Sequence, residues 1–326
     1  MKKTLPIIIL FLTVFFTGTA ARAQVQNTDI SLEITPAYPA PNQDVTAVLS
    51  SQALDLDKAL ITWSQDGQDK LSGIGKKQFQ FNTGSFGSPT NISASIDTVG
   101  GNSLIKSVTV WPAEVDMLYE APDAFVPPFY EGLALPASQS RIKVVAIPFL
   151  SSGNGQTGGS NLSYTWSKDG RGQSQASGWG NSSFTFNNSY LDNGNAISVQ
   201  VSDITGNSTA GGTINIQTVN PKIIFYSRDE VLGTDWQEAL SDGFSVPSGG
   251  ATITAAPYFF SGPNPDSSNL SYAWTLNGQA IDTPSPKNIL SVKPQSGTSG
   301  TADIKLTINN IGTLFQTISK TLTVNF

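Results

Sequence analysis

The sequence predicts an all-β chain of three tandem antiparallel β-sandwiches behind an N-terminal leader. One phrase recurs at residues 61–67, 164–170 and 272–278, and each copy is a β-type run around a single tryptophan. Each copy ends in Asp-Gly or Asn-Gly, the strongest short hairpin signal. The tryptophans are Trp63, Trp166 and Trp274, so the period is roughly 100 residues, the size of one such sandwich. Three copies of this motif therefore predict three domains.

The first predicted domain spans residues 24–112 and consists of short alternating runs. Strict alternation of apolar and polar residues indicates half-buried antiparallel strands. Beside the tryptophan strand, the predicted strands are residues 30–34, 45–49, 76–81, 92–96 and 106–110. Residues 35–42 are rich in proline, which is found at sheet edges and not in central strands. They therefore predict a kink between the first two strands.

The second and third predicted domains span residues 113–219 and 220–326 and form the closer pair. Beside their tryptophan strands, the predicted strands are residues 115–119, 141–149, 197–202, 213–217, 223–226, 302–308 and 322–326. Residues 151–160 contain no apolar side chain, which predicts a surface loop. The joints between domains are short and carry Pro112 and Pro221, which predicts stiff connections.

One segment of the sequence predicts a short helix. Residues 234–240, Thr-Asp-Trp-Gln-Glu-Ala-Leu, predict one or two helical turns. Thr234 or Asp235 would cap the first turn by accepting a backbone N–H.

The N-terminus has the pattern of a secretory signal peptide. Two lysines precede an apolar run of about a dozen residues, and Ala21-Arg22-Ala23 is a small-x-small cleavage pattern. Residues 1–23 are therefore a predicted signal peptide, and the mature chain is expected to be extracytoplasmic: secreted, periplasmic or on the cell surface. The alternative is an uncleaved N-terminal segment that tethers the protein to a membrane.

Composition excludes several function classes. The 326 residues include no cysteine and no histidine. A Ser-His-Asp or Cys-His site and a His- or Cys-ligated zinc site are therefore impossible. The net charge is −6, without basic clusters, which argues against nucleic acid as a partner. We expect no enzyme activity, no cofactor and no nucleotide binding.

The repeated Tyr-x-Trp-x-x-Asp/Asn-Gly strand resembles the third-strand signature of bacterial immunoglobulin-like and PKD-like modules in secreted or cell-surface proteins. PKD modules usually follow the tryptophan with an aromatic residue and then Gly-Asp-Gly. Here Ser-Gln, Ser-Lys and Thr-Leu follow the three tryptophans, so the immunoglobulin-like label fits better. The resemblance implies spacing, adhesion or protein contact in a bacterial envelope. It brings no catalytic residue, and its expected partners are envelope or surface proteins.

Four tryptophans are candidate functional residues. Trp63, Trp166 and Trp274 lie on alternating strands, which predicts that they fill the sandwich cores. Trp179 differs, because glycines flank it and no strand pattern surrounds it. An exposed tryptophan among polar residues suits stacking on a sugar ring. The alternative is a loop tryptophan folded back on its own domain.

Carboxylates offer weaker candidates. Residues 192–195, Asp-Asn-Gly-Asn, and the Asp55/Asp57 pair have the oxygen-rich composition that calcium prefers, but a plain turn explains both. We predict no metal site.

The acid pairs Asp116/Glu120 and Asp229/Glu230 could be glycosidase carboxylates, yet surface acid pairs are usually just solvated. Two hypotheses follow: a structural or protein-binding envelope protein, or a carbohydrate-binding protein that uses Trp179.

Overall fold

The computed structural model describes residues 30–152, 155–156, 161–192, 194–204, 206, 208–295, 297 and 299–326. The predicted signal peptide lies outside these residues. The all-β prediction is confirmed, because the regular elements of the described residues are all β-strands. Among these residues there is no helix long and apolar enough to cross a membrane.

Twenty-six strands occur in the described part of the chain. Those before residue 112 are β1 (Ile30–Thr35), β2 (Asp44–Ser51), β3 (Leu60–Gln65), β4 (Gln68–Ile74), β5 (Gln78–Asn82), β6 (Thr90–Asp97) and β7 (Ser103–Val110). The next are β8 (Glu114–Glu120), β9 (Arg141–Phe149), β10 (Ser151–Ser152), β11 (Gly155–Gln156), β12 (Ser163–Lys168), β13 (Arg171–Gly172), β14 (Gly178–Trp179), β15 (Ser183–Asn187), β16 (Gly194–Ser202) and β17 (Thr209–Gln217). The last are β18 (Lys222–Asp229), β19 (Gly233–Ala239), β20 (Phe244–Ser245), β21 (Ala251–Tyr258), β22 (Leu270–Leu276), β23 (Gln279–Ile281), β24 (Ile289–Val292), β25 (Thr301–Asn310) and β26 (Thr317–Asn325).

The described chain divides into two compact units. The first contains residues 30–33 with Ala47–Phe79 and Ile92–Val108. The second contains Ile34–Thr46, Gln80–Asn91 and Thr109–Phe326. The second and third predicted domains both lie in this second unit. Their boundaries, and the boundary at residue 112, remain predictions.

The same strand order recurs along the chain. The sheets before residue 112 run β1-β2-β5 and β4-β3-β6-β7. The next two run β15-β9-β8 and β13-β12-β16-β17, with β14 also on β12. The last two run β19-β18-β21-β24 and β20-β26-β25-β22-β23. In each case the strand bearing the repeated tryptophan pairs with the penultimate long strand, which is the immunoglobulin-like arrangement.

Each of the two later sheet pairs encloses an apolar core. In residues 113–219 the core joins side chains of β8, β9 and β15 to side chains of β12, β16 and β17. In residues 220–326 it joins β18, β21 and β24 to β22, β25 and β26. In each pair the two sheets therefore bury one face against each other, and in residues 220–326 the second face of β21 is buried as well.

The three repeated tryptophans occupy equivalent buried positions. Trp63 and Trp166 are 0 % exposed and Trp274 is 1 % exposed. Each indole N–H donates to a backbone carbonyl further along the chain: Lys76 at 2.7 Å, Asn181 at 2.9 Å and Lys287 at 2.9 Å. A buried indole needs such an acceptor, because an unpaired buried donor costs about 1–3 kcal/mol.

The hairpin turns after the tryptophan strands have the geometry that the sequence indicates. Asp66, Asp169 and Asn277 have φ of 51°, 51° and 49°, and the glycines that follow also have positive φ. Two successive residues with positive φ make a type I′ turn, whose twist matches that of the flanking strands. The paired residues are Gln65 with Gln68, Lys168 with Arg171, and Leu276 with Gln279.

The helix prediction for residues 234–240 is wrong, because this stretch forms β19. It pairs antiparallel with β18 across a register shift between Tyr226 and Arg228. The Trp236 ring packs on the Tyr226 ring, with centroids 5.0 Å apart. Packing of an aromatic side chain against a sheet thus overrides a weak local helix preference, which amounts to tenths of a kcal/mol per residue.

We predict that Gly170→Ala lowers the free energy of unfolding by about 1–2 kcal/mol, because Gly170 has φ +74° and an L-residue is strained there. Gly172→Ala is the matched control. Neither glycine has an atom within 4 Å of an added Cβ, and Gly172 does not have positive φ. Urea denaturation of the purified variants gives the comparison. Equal stability of the two variants would contradict the assigned turn.

Candidate functional site

Trp179 lies on an exposed sheet edge. It belongs to β14, which pairs with β12 so that Trp179 stands opposite Ser163. Residues paired directly across two strands share a face, and Ser163 points away from the core that holds Tyr164 and Trp166. The Trp179 side chain is 55 % exposed. The structure thus places Trp179 on a short strand on the solvent side of its sandwich.

Trp179 belongs to a face made of neutral polar residues, which we call the outer face. One row across it runs Trp179, Ser163, Ser202 and Thr209. The two rows beside it are Thr165, Gln200 and Gly211, then Gly172, Ser167, Ser198 and Thr213. None of these described positions carries a charge.

The corresponding surfaces of the other two predicted domains do carry charges. In the third, Lys305 stands between Thr275 and Thr321. In the first, Ser64 stands opposite Asp69 and donates a 2.6 Å hydrogen bond to its carboxylate. An uncharged outer face therefore distinguishes the second predicted domain from its neighbours.

A second feature, the Gln316 joint, connects the second and third predicted domains. Gln316 is fully buried. Its Nε2 donates to the carbonyl of Ser138 at 2.7 Å and to Ser261 Oγ at 2.8 Å. Its Oε1 accepts from the Ser261 N–H at 2.8 Å and from Asn310 Nδ2 at 2.9 Å. A glutamine amide has two donor hydrogens and two acceptor lone pairs, so every one of its hydrogen-bonding positions is used.

Backbone pairing extends the Gln316 joint. The N–H of Phe125 donates to the carbonyl of Phe260 at 2.9 Å, and the N–H of Phe259 donates to the carbonyl of Phe125 at 2.8 Å. The N–H of Gly262 donates to the carbonyl of Asp123 at 2.7 Å. These bonds form a short strand-like ladder between the two predicted domains.

An aromatic cluster packs beside this ladder. Phe125 of the β8–β9 connection is buried with Tyr226, Tyr258 and Phe259 of the third predicted domain. The hydroxyls of Tyr226 and Tyr258 hydrogen-bond to each other at 2.6 Å. Burial, and next this hydrogen bond, raise the pKa of Tyr258 well above its usual range, so the Tyr258 hydroxyl stays neutral at physiological pH.

Three of the carboxylate candidates, Asp55, Asp57 and Asp229, are engaged in local structure. Asp55 pairs with Lys58 at 2.8 Å, and this hydrogen bond lowers the pKa of Asp55. Asp57 pairs with Lys77 at 2.9 Å. The turn after β18 is held by Asp229, which accepts the N–H groups of Val231 and Leu232.

Two more acid candidates contact lysines. Asp192 lies 3.3 Å from the Lys168 ammonium, and Glu120 lies 3.8 Å from that of Lys143. Asn193 lies outside the described residues. Across the described chain, no group of three or more Asp or Glu side chains gathers in a way that could hold a metal ion.

Sequence reasoning missed Gln316 and the role of residues 121–140. Gln316 follows two exposed apolar residues, and nothing in its neighbourhood marks it as buried. The only available signal for residues 121–140 was the run Phe125-Val126-Pro127-Pro128-Phe129, an apolar loop. Phe125 from this run contacts the third predicted domain, while Phe129 is 93 % exposed.

The fold defines a protein of tandem immunoglobulin-like modules. No protein-family model matches the sequence, and no curated protein matches it.

Several solved structures are similar in arrangement. One contains three N-terminal domains of the bacteriophage RB49 outer capsid protein Hoc, at 13 % identity and TM-score 0.25, covering 91 % of this chain and 97 % of that one. Another is the central fibronectin-III array of RIM-binding protein, at 12 % identity and TM-score 0.30, covering 91 % and 97 %. A third is the Bacteroides ovatus protein SGBP-B in complex with a mixed-linkage heptasaccharide, at 13 % identity and TM-score 0.22, covering 92 % of this chain and 70 % of that one. At these TM-scores the similarities carry no argument about function.

We predict that Gln316→Ala loosens the joint, because it strips the carbonyl of Ser138 and the N–H of Ser261 of their partner. Each buried group left unpaired costs about 1–3 kcal/mol. Hydrogen exchange should accelerate at the amides of Phe125 and Phe259. Gln217→Ala, at an exposed glutamine of β17, is the control and should leave exchange unchanged. Unaltered protection in Gln316→Ala would show that the joint does not depend on this side chain.

Proposed function

We propose that this is a non-enzymatic extracytoplasmic protein of the bacterial envelope or a surface appendage, whose immunoglobulin-like modules space or bind partner proteins. The Gln316 joint carries the proposal. Modules within a chain usually move relative to each other unless their interface is extensive. Here a saturated buried amide, a backbone ladder and an aromatic cluster combine at one joint. Such a joint maintains a fixed spacing between binding surfaces, which a spacer or adhesion protein requires.

The sequence supports the location. The leader pattern at residues 1–23 directs export, and a chain without cysteine folds independently of the redox state of its compartment. Exposed apolar side chains at loop tips supply contact points for protein partners. Val231 and Leu232 are 90 % and 88 % exposed at the tip of the β18–β19 hairpin.

Site-specific cross-linking in intact cells tests the proposal. A photoreactive amino acid at Val231 or at Phe129 should capture an envelope or surface protein. The unaltered chain, without a photoreactive residue, is the control and should capture none. Recovery of cytoplasmic partners alone would contradict the proposal. Sequencing of the mature N-terminus distinguishes cleavage before Gln24 from a retained membrane tether.

A second candidate function is carbohydrate binding. The exposed Trp179 ring next to uncharged hydroxyl-bearing residues favours it. A pyranose has an apolar C–H face, which an aromatic ring covers, and a rim of hydroxyls, which Ser, Thr and Gln can meet as donors and acceptors.

A glycan array probed with the purified protein tests this second function. Binding should be present in the wild type and lost in Trp179→Ala. Phe129→Ala removes another exposed aromatic ring and should leave binding intact. Equal binding by wild type and Trp179→Ala would eliminate Trp179 as a sugar platform.

A further inference from the structure

The outer face has an aromatic side chain at each of its two edges. Trp179 stands on β14 at one edge. At the other edge the Tyr38 ring lies over Gly211 of β17, so close that a Cβ on Gly211 would come within 2.5 Å of Tyr38 Cδ2. Tyr38 is 37 % exposed, so part of its ring faces solvent. Gly211 thus provides the space in which the Tyr38 ring rests on the sheet.

A cavity of about 460 Å³ opens onto this face beside Tyr38. Pro36 and Tyr38 line one side, and Thr165, Gln200 and Thr213 are among the residues that line the sheet side. Ligand sites in proteins typically occupy about 300–1,000 Å³. The cavity is therefore large enough for a small ligand, and its sheet side offers neutral donors and acceptors.

The two aromatic rings are separated by the width of the sheet. The order β14, β12, β16, β17 contains three inter-strand steps. At about 4.8 Å per step, the edges lie about 14 Å apart. Between them, Ser163, Thr165, Gln200 and Ser202 present hydroxyl and amide groups in register. An elongated ligand could contact both rings and the polar groups between them at once.

We propose that the outer face, from Trp179 to Tyr38, binds an uncharged oligosaccharide of several sugar units across the strands. This inference rests on the second function proposed above and names its ligand class and remaining contact residues. Trp179 and Tyr38 cover the apolar faces of two separate sugar rings. Thr165 and Gln200 exchange hydrogen bonds with the hydroxyls between those rings.

Charge decides the ligand class. Binding a uronic acid, sulfated or phosphorylated chain on this surface would strip water from an anion with no cation on the face to pair with it, which is costly. A neutral sugar needs no cation partner, because the hydroxyl and amide groups of the face can hydrogen-bond with its hydroxyls.

Isothermal titration of the purified protein with neutral oligosaccharides tests the site. The probes are cello-, laminari-, manno-, xylo- and chito-oligosaccharides from the disaccharide to the hexasaccharide, with oligogalacturonate as the charged arm. At least one neutral series should bind, with affinity that rises with chain length. Tyr38→Ala, Gln200→Ala and Trp179→Ala should each weaken binding at least about tenfold, equivalent to about 1.4 kcal/mol.

Two further variants separate contact from folding. Gly211→Ala should displace the Tyr38 ring and weaken binding. Thr307→Ala, on the corresponding solvent face of the third predicted domain, should leave binding unchanged. Thermal unfolding of each variant verifies that the fold persists. Gln200→Lys places a charge in the middle of the face and should abolish binding to neutral chains if they cross it.

The outcomes distinguish this inference from the function on which it rests. Loss of binding in Trp179→Ala, with unchanged binding in Tyr38→Ala and Gln200→Ala, overturns the extended site and leaves a sugar-binding Trp179. Equal affinity for disaccharides and hexasaccharides also overturns it. Tighter binding of oligogalacturonate than of every neutral chain overturns the ligand class. If no probe binds the wild type, the carbohydrate function and this inference both fail, and the spacer function stands on its own cross-linking test.

Discussion

The hydrogen bond from a buried indole to a main-chain carbonyl is the interaction on which each sandwich depends. The tryptophan fills the space between two sheets, and removing a side chain of this size from a core typically costs about 3–5 kcal/mol. Its N–H must find an acceptor inside that core, and in all three copies the acceptor lies 13 or 15 residues further along the chain. The bond therefore fixes where the chain must return after the hairpin. Because the chain has no disulfides, packing of these buried tryptophans and their hydrogen bonds to carbonyls contribute more to holding the two sheets of each pair together.

Because the cores repeat, the differences between copies lie on their solvent faces and connections. The third copy carries Lys305 on its outer sheet, and the first carries Asp69, whereas the equivalent positions of the second are neutral. A strand needs only alternation to fold, so the outward residues are free to vary without loss of the core. The uncharged outer face of the second predicted domain and the Gln316 joint between the second and third are two such departures, and they lie at different places.

Local patterns in the sequence predicted those features that depend on neighbouring residues alone, namely strands and tight turns. Alternation predicted strands such as β2, β9 and β16, but not β4, β15 or β21. The Asp-Gly and Asn-Gly pairs predicted the hairpins, because the turns there have positive φ at two successive residues, which favours those residue types. Residues 234–240 show where this reasoning ends: Trp236 forms a strand because Tyr226 of β18 is there to pack against. The roles of Gln316 and Tyr38 were equally out of reach. Each depends on a partner far along the chain, Ser138 in one case and Gly211 in the other, and no short-range pattern links such residues.

Gly211 and Gln316 show two different ways in which a module is adapted to the chain around it. Gly211 gives up a side chain so that an aromatic ring from an earlier segment can rest on the sheet. Gln316 instead uses its full hydrogen-bonding capacity at a buried boundary and crosses it with its bond to Ser138; a partly satisfied amide there would be destabilising. The first device leaves a cleft open to solvent, while the second leaves a buried amide fully hydrogen-bonded at a boundary between modules. A cleft beside Tyr38 can admit a ligand, whereas the Gln316 joint can only hold two modules in place. The proposed sugar binding and the proposed spacing therefore use separate surfaces, and a change in one need not disturb the other.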